Sequence, residues 1–195
     1  MMGHVGNDVV DLCDPHIAGH FERSRFVARV CGAEEVARVA ASDDPHRLLW
    51  SLFAAKEAGY KVVAKMTPGI AFSPRRFIVN AASTRVTHDQ VELWLYVTHG
   101  QEWVHAIAGH GEGEPVWAVE RRDAATGESV AARDLAVRLA AGRLGLAPAT
   151  LSVDRETDRR FRDDLAPPGM LHDGQRLAVD VSLSHDGPWV ACALL

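Results

Sequence analysis

The chain has little cysteine: three residues, Cys13, Cys31 and Cys192, in 195. The number is odd and no two stand at a metal-knuckle spacing. A disulfide framework is therefore not expected, and a reducing compartment is. No apolar run approaches the ~18 residues of a membrane span. Residues 1–12 have neither a basic n-region nor a long apolar h-region, so no secretory signal is read there. These absences set the expectation of a soluble cytoplasmic protein. Basic residues are also in deficit, with 21 Lys and Arg against 26 Asp and Glu and a formal net charge of −5. That balance argues against nucleic acid or an anionic membrane as the main partner, while leaving room for a local basic pocket. The glycines form neither a Walker A loop nor a dinucleotide fingerprint, and no G-x-S-x-G elbow is present.

What is present is ordinary globular material, 47% hydrophobic and 24% charged, enough for one large domain or two small ones. Residues 5–12 form a short apolar run bounded by glycines and by Asp14-Pro15, and read as a buried strand. Residues 15–41 are helical in character, with a break near Cys31-Gly32. A stronger helix follows. Ser42-Asp43-Asp44-Pro45 offers an N-cap with proline at the first helical position, and Thr67-Pro68-Gly69 ends the pattern. Leu48, Leu49, Leu52, Phe53, Tyr60 and Val63 share one arc of that helix, and Lys56 falls inside it.

Strands are expected at 76–80, at 90–99 with Val91, Leu93, Leu95 and Val97 on one face, and at 101–109 as the return of a hairpin. Residues 109–115 read as a linker or long turn, and 116–120 as another short strand. A helix is expected over 128–144, and a charged loop over 154–174. A terminal hairpin of 176–183 and 189–194 would present His185 at a polar tip. No sequence repeat between the halves is evident.

Several residues could carry chemistry. Asp8 sits in an apolar run, where a carboxylate is costly to bury unless paired or bound to a cation. It reads either as a strand-end turn residue or as such a ligand. Asp11, three further on, would point to the opposite face of a strand. Lys56 precedes Glu57 and Lys61, which read as an exposed i,i+4 pair; the three read otherwise as a carboxylate for a divalent cation flanked by ammonium groups for phosphate. Mg²⁺ needs only one or two protein carboxylates, so Asp8 plus Glu57 would suffice. Ser182, Ser184, His185 and Asp186 do not make a hydrolase triad, whose members meet only in space. They read as a hairpin tip, or as a hydroxyl and an imidazole that donate to phosphate. His16 and His20 are four apart but have no third zinc ligand at a suitable spacing. His99, His105 and His110 read as surface groups at strand ends. Arg155, Arg159, Arg160 and Arg162, alternating with acids, read as a solvated face.

Three segments, in order, resemble the 4′-phosphopantetheinyl transferase superfamily. They are Gly6-Asn7-Asp8-Val9-Val10-Asp11-Leu12, then Trp50 through Lys61 with Lys56-Glu57-Ala58 at its centre, then Val181-Ser182-Leu183-Ser184-His185-Asp186. The order Asp motif, K-E-A motif, S-H motif is that of the short holo-acyl-carrier-protein synthase type, here in a chain of double length. The resemblance implies an α+β fold, a pseudo-dimer of two small modules with helices packed on small antiparallel sheets. The modules would be residues 1–115 and 116–195, with the site at their junction.

The resemblance also implies a reaction: Mg²⁺-dependent transfer of 4′-phosphopantetheine from coenzyme A to a serine of an acyl or peptidyl carrier protein, releasing 3′,5′-ADP. Asp8 and Glu57 then resemble the metal ligands, with Glu57 and Lys61 catalytic. Lys56, Lys61, Ser184 and His185 resemble the coenzyme A contacts. Neither nucleic acid nor membrane is an expected partner, and a monomer is favoured over a trimer. Two departures stand out: Val10 occupies the position of a third metal carboxylate in the long type, and the usual G-K-P before the S-H segment is replaced by Pro167-Pro168-Gly169. The rival classes are a non-catalytic paralogue that binds coenzyme A or carrier, and a metal-dependent phosphoester hydrolase.

Overall fold

A computed structural model describes residues 3–161 and 164–195. Arg162 and Asp163 of the alternating charged string lie outside the described residues. Strand β1 (His4–Asp11) opens the chain, followed by helices α1 (Ser24–Val30), α2 (Ala33–Ala40) and the long α3 (Pro45–Met66). Strands β2 (Phe77–Val79), β3 (Arg85–His88), β4 (Val91–His99) and β5 (Trp103–His110) complete an antiparallel sheet in the order β1-β5-β4-β3-β2. The rest of the chain is β6 (Val116–Arg121), α4 (Glu128–Leu144), β7 (Leu151–Asp154), β8 (Gly169–His172), β9 (Gln175–Asp186) and β10 (Trp189–Leu194). Its sheet runs β6-β10-β9-β8-β7, so in both sheets the first strand pairs with the last. The result is a mixed α/β protein with two antiparallel sheets and four α-helices among the described residues. No helix of the described residues is long and apolar enough to cross a membrane.

Helix α3 starts and stops where its sequence says. The Asp44 carboxylate accepts the Arg47 N–H at 2.9 Å, Pro45 takes the first helical position, and Thr67 caps the end. Leu49, Leu52, Ala55, Val62 and Val63 pack it against the first sheet. The approach to β1 is closest at Gly6, where a Cβ would lie 2.1 Å from the Ala58 carbonyl oxygen. Only glycine lets strand and helix backbones come that near, and this closeness brings side chains of both elements to one place. A second core forms under α4 from Ala132, Leu135, Ala136, Val190, Cys192 and Leu194. A small third cluster, Val5, Ile107 and Ala193, joins the two sheets.

Strand β1 is an edge of its sheet, yet its outer edge is covered. The N–H groups of Val5, Asn7, Val9 and Asp11 donate to side chains of β9: Asp180 Oδ2 (2.7 Å), Ser182 Oγ (2.9 Å), Ser184 Oγ (3.2 Å) and Asp186 Oδ2 (2.8 Å). Both strands have a side-chain period of two, so the four contacts keep one register. On the same edge, Lys65 Nζ donates to the Val5 carbonyl (2.7 Å) and Lys61 Nζ to the Asn7 carbonyl (2.8 Å). Side chains thus satisfy the edge groups that a further strand would otherwise pair with.

Some expectations are corrected. Strand β3 was not anticipated, and β8 forms inside the stretch expected to be loop. At four residues each they are too short to establish an alternation. His185 lies within β9 rather than at a tip; the turn is Gly187-Pro188, with Gly187 at φ 53°. His105 is fully buried, not a surface group, because β1 and the second sheet cover the centre of β5. Its Nε2 is 3.0 Å from Asn7 Nδ2, and its ring centroid 5.5 Å from that of Trp117. Burial depresses its pKa to about 3, and the nearby Lys61 charge adds to this.

The registers also disclose a correspondence between the halves that composition hides. Thr98 faces His105 and His99 faces Val104 across β4–β5, while Ser184 faces Ala191 and His185 faces Val190 across β9–β10. A hydroxyl residue, a histidine, a turn, and a Trp-Val pair therefore recur at matching places, as Thr98-His99 with Trp103-Val104 and as Ser184-His185 with Trp189-Val190. The two tryptophan rings meet, 6.1 Å between centroids.

Candidate active site

Asp8, on β1, is 5% exposed. Its Oδ1 accepts from Lys61 Nζ at 3.0 Å and from the Ser184 hydroxyl at 2.8 Å. Glu57, one helical turn before Lys61, has Oε1 3.7 Å from the same ammonium. One cation thus joins two carboxylates that belong to different elements. The Gly6–Ala58 approach makes this possible, because α3 presents Glu57 and Lys61 on the side that faces β1.

The local electrostatics are those of crowded acids. Burial, then the charge of Asp8, pushes the Glu57 carboxyl up to about 7, with Lys61 opposing and Asp186 adding to the rise. Burial also raises Asp186; its hydrogen bond from Asp11 opposes this, and the charges of Asp8 and Asp11 reinforce it. For Lys61, burial works against the ammonium, but Asp8 and Glu57 outweigh it and hold its pKa above the ordinary value. Positive charge is in demand here: three carboxyl groups influence one another around a single ammonium.

A cleft of about 330 Å³ opens from Lys61 between α3, α4, β9 and the segment before β8. Lys61, Lys65, Arg133, Arg155 and His185 line it, together with Tyr60, Phe161 and Leu165, and among the described residues no carboxylate does. Cationic and hydroxyl groups over an aromatic and proline floor suit an anion that carries an apolar or ring portion. Lys65 is occupied internally, donating to the Val5 and Val181 carbonyls and to Asp180. Arg155 is held by the Ala166 and Leu165 carbonyls. His185 Nδ1 is 3.1 Å from Glu128 Oε2, and Glu128 also pairs with Arg122 at 3.3 Å.

Asp8, Glu57 and Lys61 therefore converge, and His185 lines the adjoining cleft. Two expected coenzyme A contacts stand away from the cleft. Ser184 faces the opposite side of β9 from His185, as neighbours in a strand must; its hydroxyl engages Asp8 and the Val9 N–H, not the cleft. Lys56 is fully buried on the far side of α3 and donates to Glu35 Oε2 (2.6 Å), the Phe77 carbonyl (2.6 Å) and the Pro74 carbonyl (3.3 Å). With all three protons engaged it has none for a ligand.

Sequence reasoning missed Lys65, Arg133, Glu128 and Asp180. Lys65, Glu128 and Arg133 stand on helices, where a charged residue reads as solvated surface, and the one available signal for Asp180 was the period-two polar series of β9. Of the solvated arginines, Arg155 lines the cleft, while Arg160 pairs with Asp158 on the surface. His16 lies in a turn and His20 opens a single 3-10 turn (His20–Glu22), so the two do not share a helix face. Among the described residues no three His, Cys, Asp or Glu side chains converge on one metal position. Two carboxylates do converge, and their chemistry fits a hard divalent cation: oxygen donors only, one of them raised in pKa first by burial and then by the other's charge. Mg²⁺ sites built on one or two carboxylates are completed by substrate oxygens and water.

Fold and site together describe a mixed α/β protein with a cation-lined cleft that ends at a carboxylate pair, Asp8 buried and Glu57 half-buried. The model of the 4′-phosphopantetheinyl transferase superfamily matches residues 4–108, more than half of the chain and inclusive of Asp8, Glu57 and Lys61. The chain belongs to this superfamily, a family of transferases. No curated protein matches it.

Proposed function

We propose that this protein transfers the 4′-phosphopantetheine group of coenzyme A to a serine hydroxyl of an acyl or peptidyl carrier protein, as a holo-acyl-carrier-protein synthase type enzyme of the cytoplasm. The observation that carries the reading is Lys61, which joins Asp8 and Glu57 at the end of a cation-lined cleft. Coenzyme A is an anion with an adenine ring, and the cleft offers charge and apolar surface for both parts. Arg133, Arg155 and His185 would receive phosphate oxygens, and Lys61 would face the pyrophosphate. The serine oxygen forms the new bond to phosphorus, the bridging oxygen departs with 3′,5′-ADP, and Glu57 accepts the hydroxyl proton. Mg²⁺ held by Asp8 and Glu57 would supply positive charge against the pyrophosphate oxygens.

In this reading residues 1–115 and 116–195 are the two modules of a pseudo-dimer, and the chain works as a monomer. The common strand order and the recurring hydroxyl–His and Trp-Val positions support that division. A single reactive centre follows. Asp8 faces Ala106 across β1–β5, and the matching place on β6, opposite Cys192, holds Ala118. The test is mass spectrometry of an apo carrier protein incubated with the enzyme, coenzyme A and Mg²⁺. A phosphopantetheine mass gain on the carrier is expected. Coenzyme A cleavage without that gain would mean hydrolysis, and binding without turnover would mean a scaffold.

A further inference from the structure

We infer that Ser184 is a positioning residue for the Asp8 carboxylate, and that β9 reaches across to set the geometry of a cation site whose ligands lie on β1 and α3. This rests on the proposed function for the identity of the site.

Ser184 is 6% exposed, and both of its capacities are fixed. Its oxygen accepts the Val9 N–H at 3.2 Å, and its one proton goes to Asp8 Oδ1 at 2.8 Å. The N–H that anchors the serine belongs to the residue after Asp8, so strand and carboxylate are gripped by the same hydroxyl. Lys61 engages the same Oδ1 at 3.0 Å. With Oδ1 held by two donors, rotation of the carboxylate is stopped and Oδ2 is the oxygen presented elsewhere. A carboxylate that must meet a small cation at a defined angle gains from being locked by a donor that is not itself a ligand. The contact spans 176 residues of sequence and is a direct hydrogen bond from the second sheet to the carboxylate pair.

Ser182 provides the control. It sits two residues earlier on the same face of β9, is 2% exposed, and accepts the Asn7 N–H at 2.9 Å. It therefore contributes to the same seam and lines the cleft, while making no hydrogen bond to Asp8. Thr98, at the corresponding place in the first half, indicates that this register admits threonine.

The experiment compares Ser184→Ala, Ser184→Thr and Ser182→Ala with the unaltered full chain. Mg²⁺ affinity is read by calorimetry in the presence of coenzyme A, and the urea midpoint is read on the same samples. Ser184→Ala is expected to weaken Mg²⁺ binding by about tenfold or more. Ser184→Thr should recover most of the affinity. Ser182→Ala should lower the urea midpoint as much as Ser184→Ala while leaving Mg²⁺ affinity within about twofold, since it removes a comparable bond. Wild-type affinity in Ser184→Ala, or an equal loss in Ser182→Ala, would overturn the positioning role while carrier modification by the unaltered protein stood. Absence of both Mg²⁺ binding and carrier modification in the unaltered protein would instead overturn the proposed function, and this inference with it.

Discussion

Replacing Lys56 with methionine separates two roles that the same residue could play. Lys56→Met keeps the approximate volume and removes the charge. In the folded protein the ammonium makes three bonds, two of them at 2.6 Å, and its removal leaves Glu35 without a cation at 2% exposure. Glu35 retains the Gly32 N–H at 2.7 Å and the Val79 N–H at 3.0 Å, so its carboxylate is not wholly abandoned. Breaking a buried pair by deleting one partner costs about 3–5 kcal/mol, and the two remaining donors place this case near about 3. With a urea slope near 2 kcal/mol per M, the midpoint should fall by roughly 1.5 M. A loss of that size is a large share of a typical stability of about 5–15 kcal/mol, so kinetics belong at low temperature, where the variant is folded. There, KM for coenzyme A should stay within about twofold of wild type, because Lys56 lies outside the cleft. A loss under about 1 kcal/mol, or a tenfold rise in KM with an unchanged urea midpoint, would refute the structural role and return Lys56 to the ligand.

Two further outcomes follow from the same structure. His105 is held neutral in the fold with its pKa at about 3, below the ordinary 6.5, so the unfolded chain binds a proton first as pH falls. Its contribution is complete above pH 6.5 and declines toward pH 3, at about 1.4 kcal/mol per pH unit. Urea titrations should therefore show about 2 kcal/mol less stability at pH 5 than at pH 6.5 from this group; His105→Gln should flatten that slope, and an unchanged slope would assign it elsewhere. Gly6→Ala places a methyl 2.1 Å from the Ala58 carbonyl oxygen. Forcing β1 from α3 should cost at least about 1–3 kcal/mol and reduce transfer by separating Asp8 from Lys61; a variant with wild-type melting and turnover would show that the approach is not required.

Helix α3 was legible because three independent signals agree: Asp44-Pro45 at its start, Thr67 at its end, and an apolar arc between them. The position of Lys56 inside that arc already carried the clue that it was buried. Its partner was not legible, since Glu35 near the start of α2 has the composition of an ordinary helix entry, and only tertiary packing brings Val79 and Lys56 to it. Asp8 could be picked out because a carboxylate in an apolar strand needs a reason. Ser184 and His185 were paired by resemblance, whereas strand periodicity alone separates them onto opposite faces. The period-two series Asp180, Ser182, Ser184, Asp186 was visible in the sequence, but its meaning required knowing that the edge of β1 lay opposite. His105 was misplaced because a histidine in an expected strand was read as solvent-facing, and only the packing of β1 and the second sheet over β5 buries it. The correspondence of Thr98-His99 with Ser184-His185 was hidden for a similar reason: too few residues match to register as a repeat, and the strand pairings reveal that they occupy matching places.

The most direct measurement is the mass of an apo carrier protein after incubation with coenzyme A, saturating Mg²⁺ and, in parallel, the unaltered enzyme, Asp8→Asn or Glu57→Gln, each verified as folded by its urea midpoint. The unaltered enzyme should convert the carrier to its phosphopantetheine form, and each variant should be slower by about 10²–10⁴-fold. Near-full conversion by either folded variant would contradict the assignment of chemistry to the Asp8–Lys61–Glu57 group.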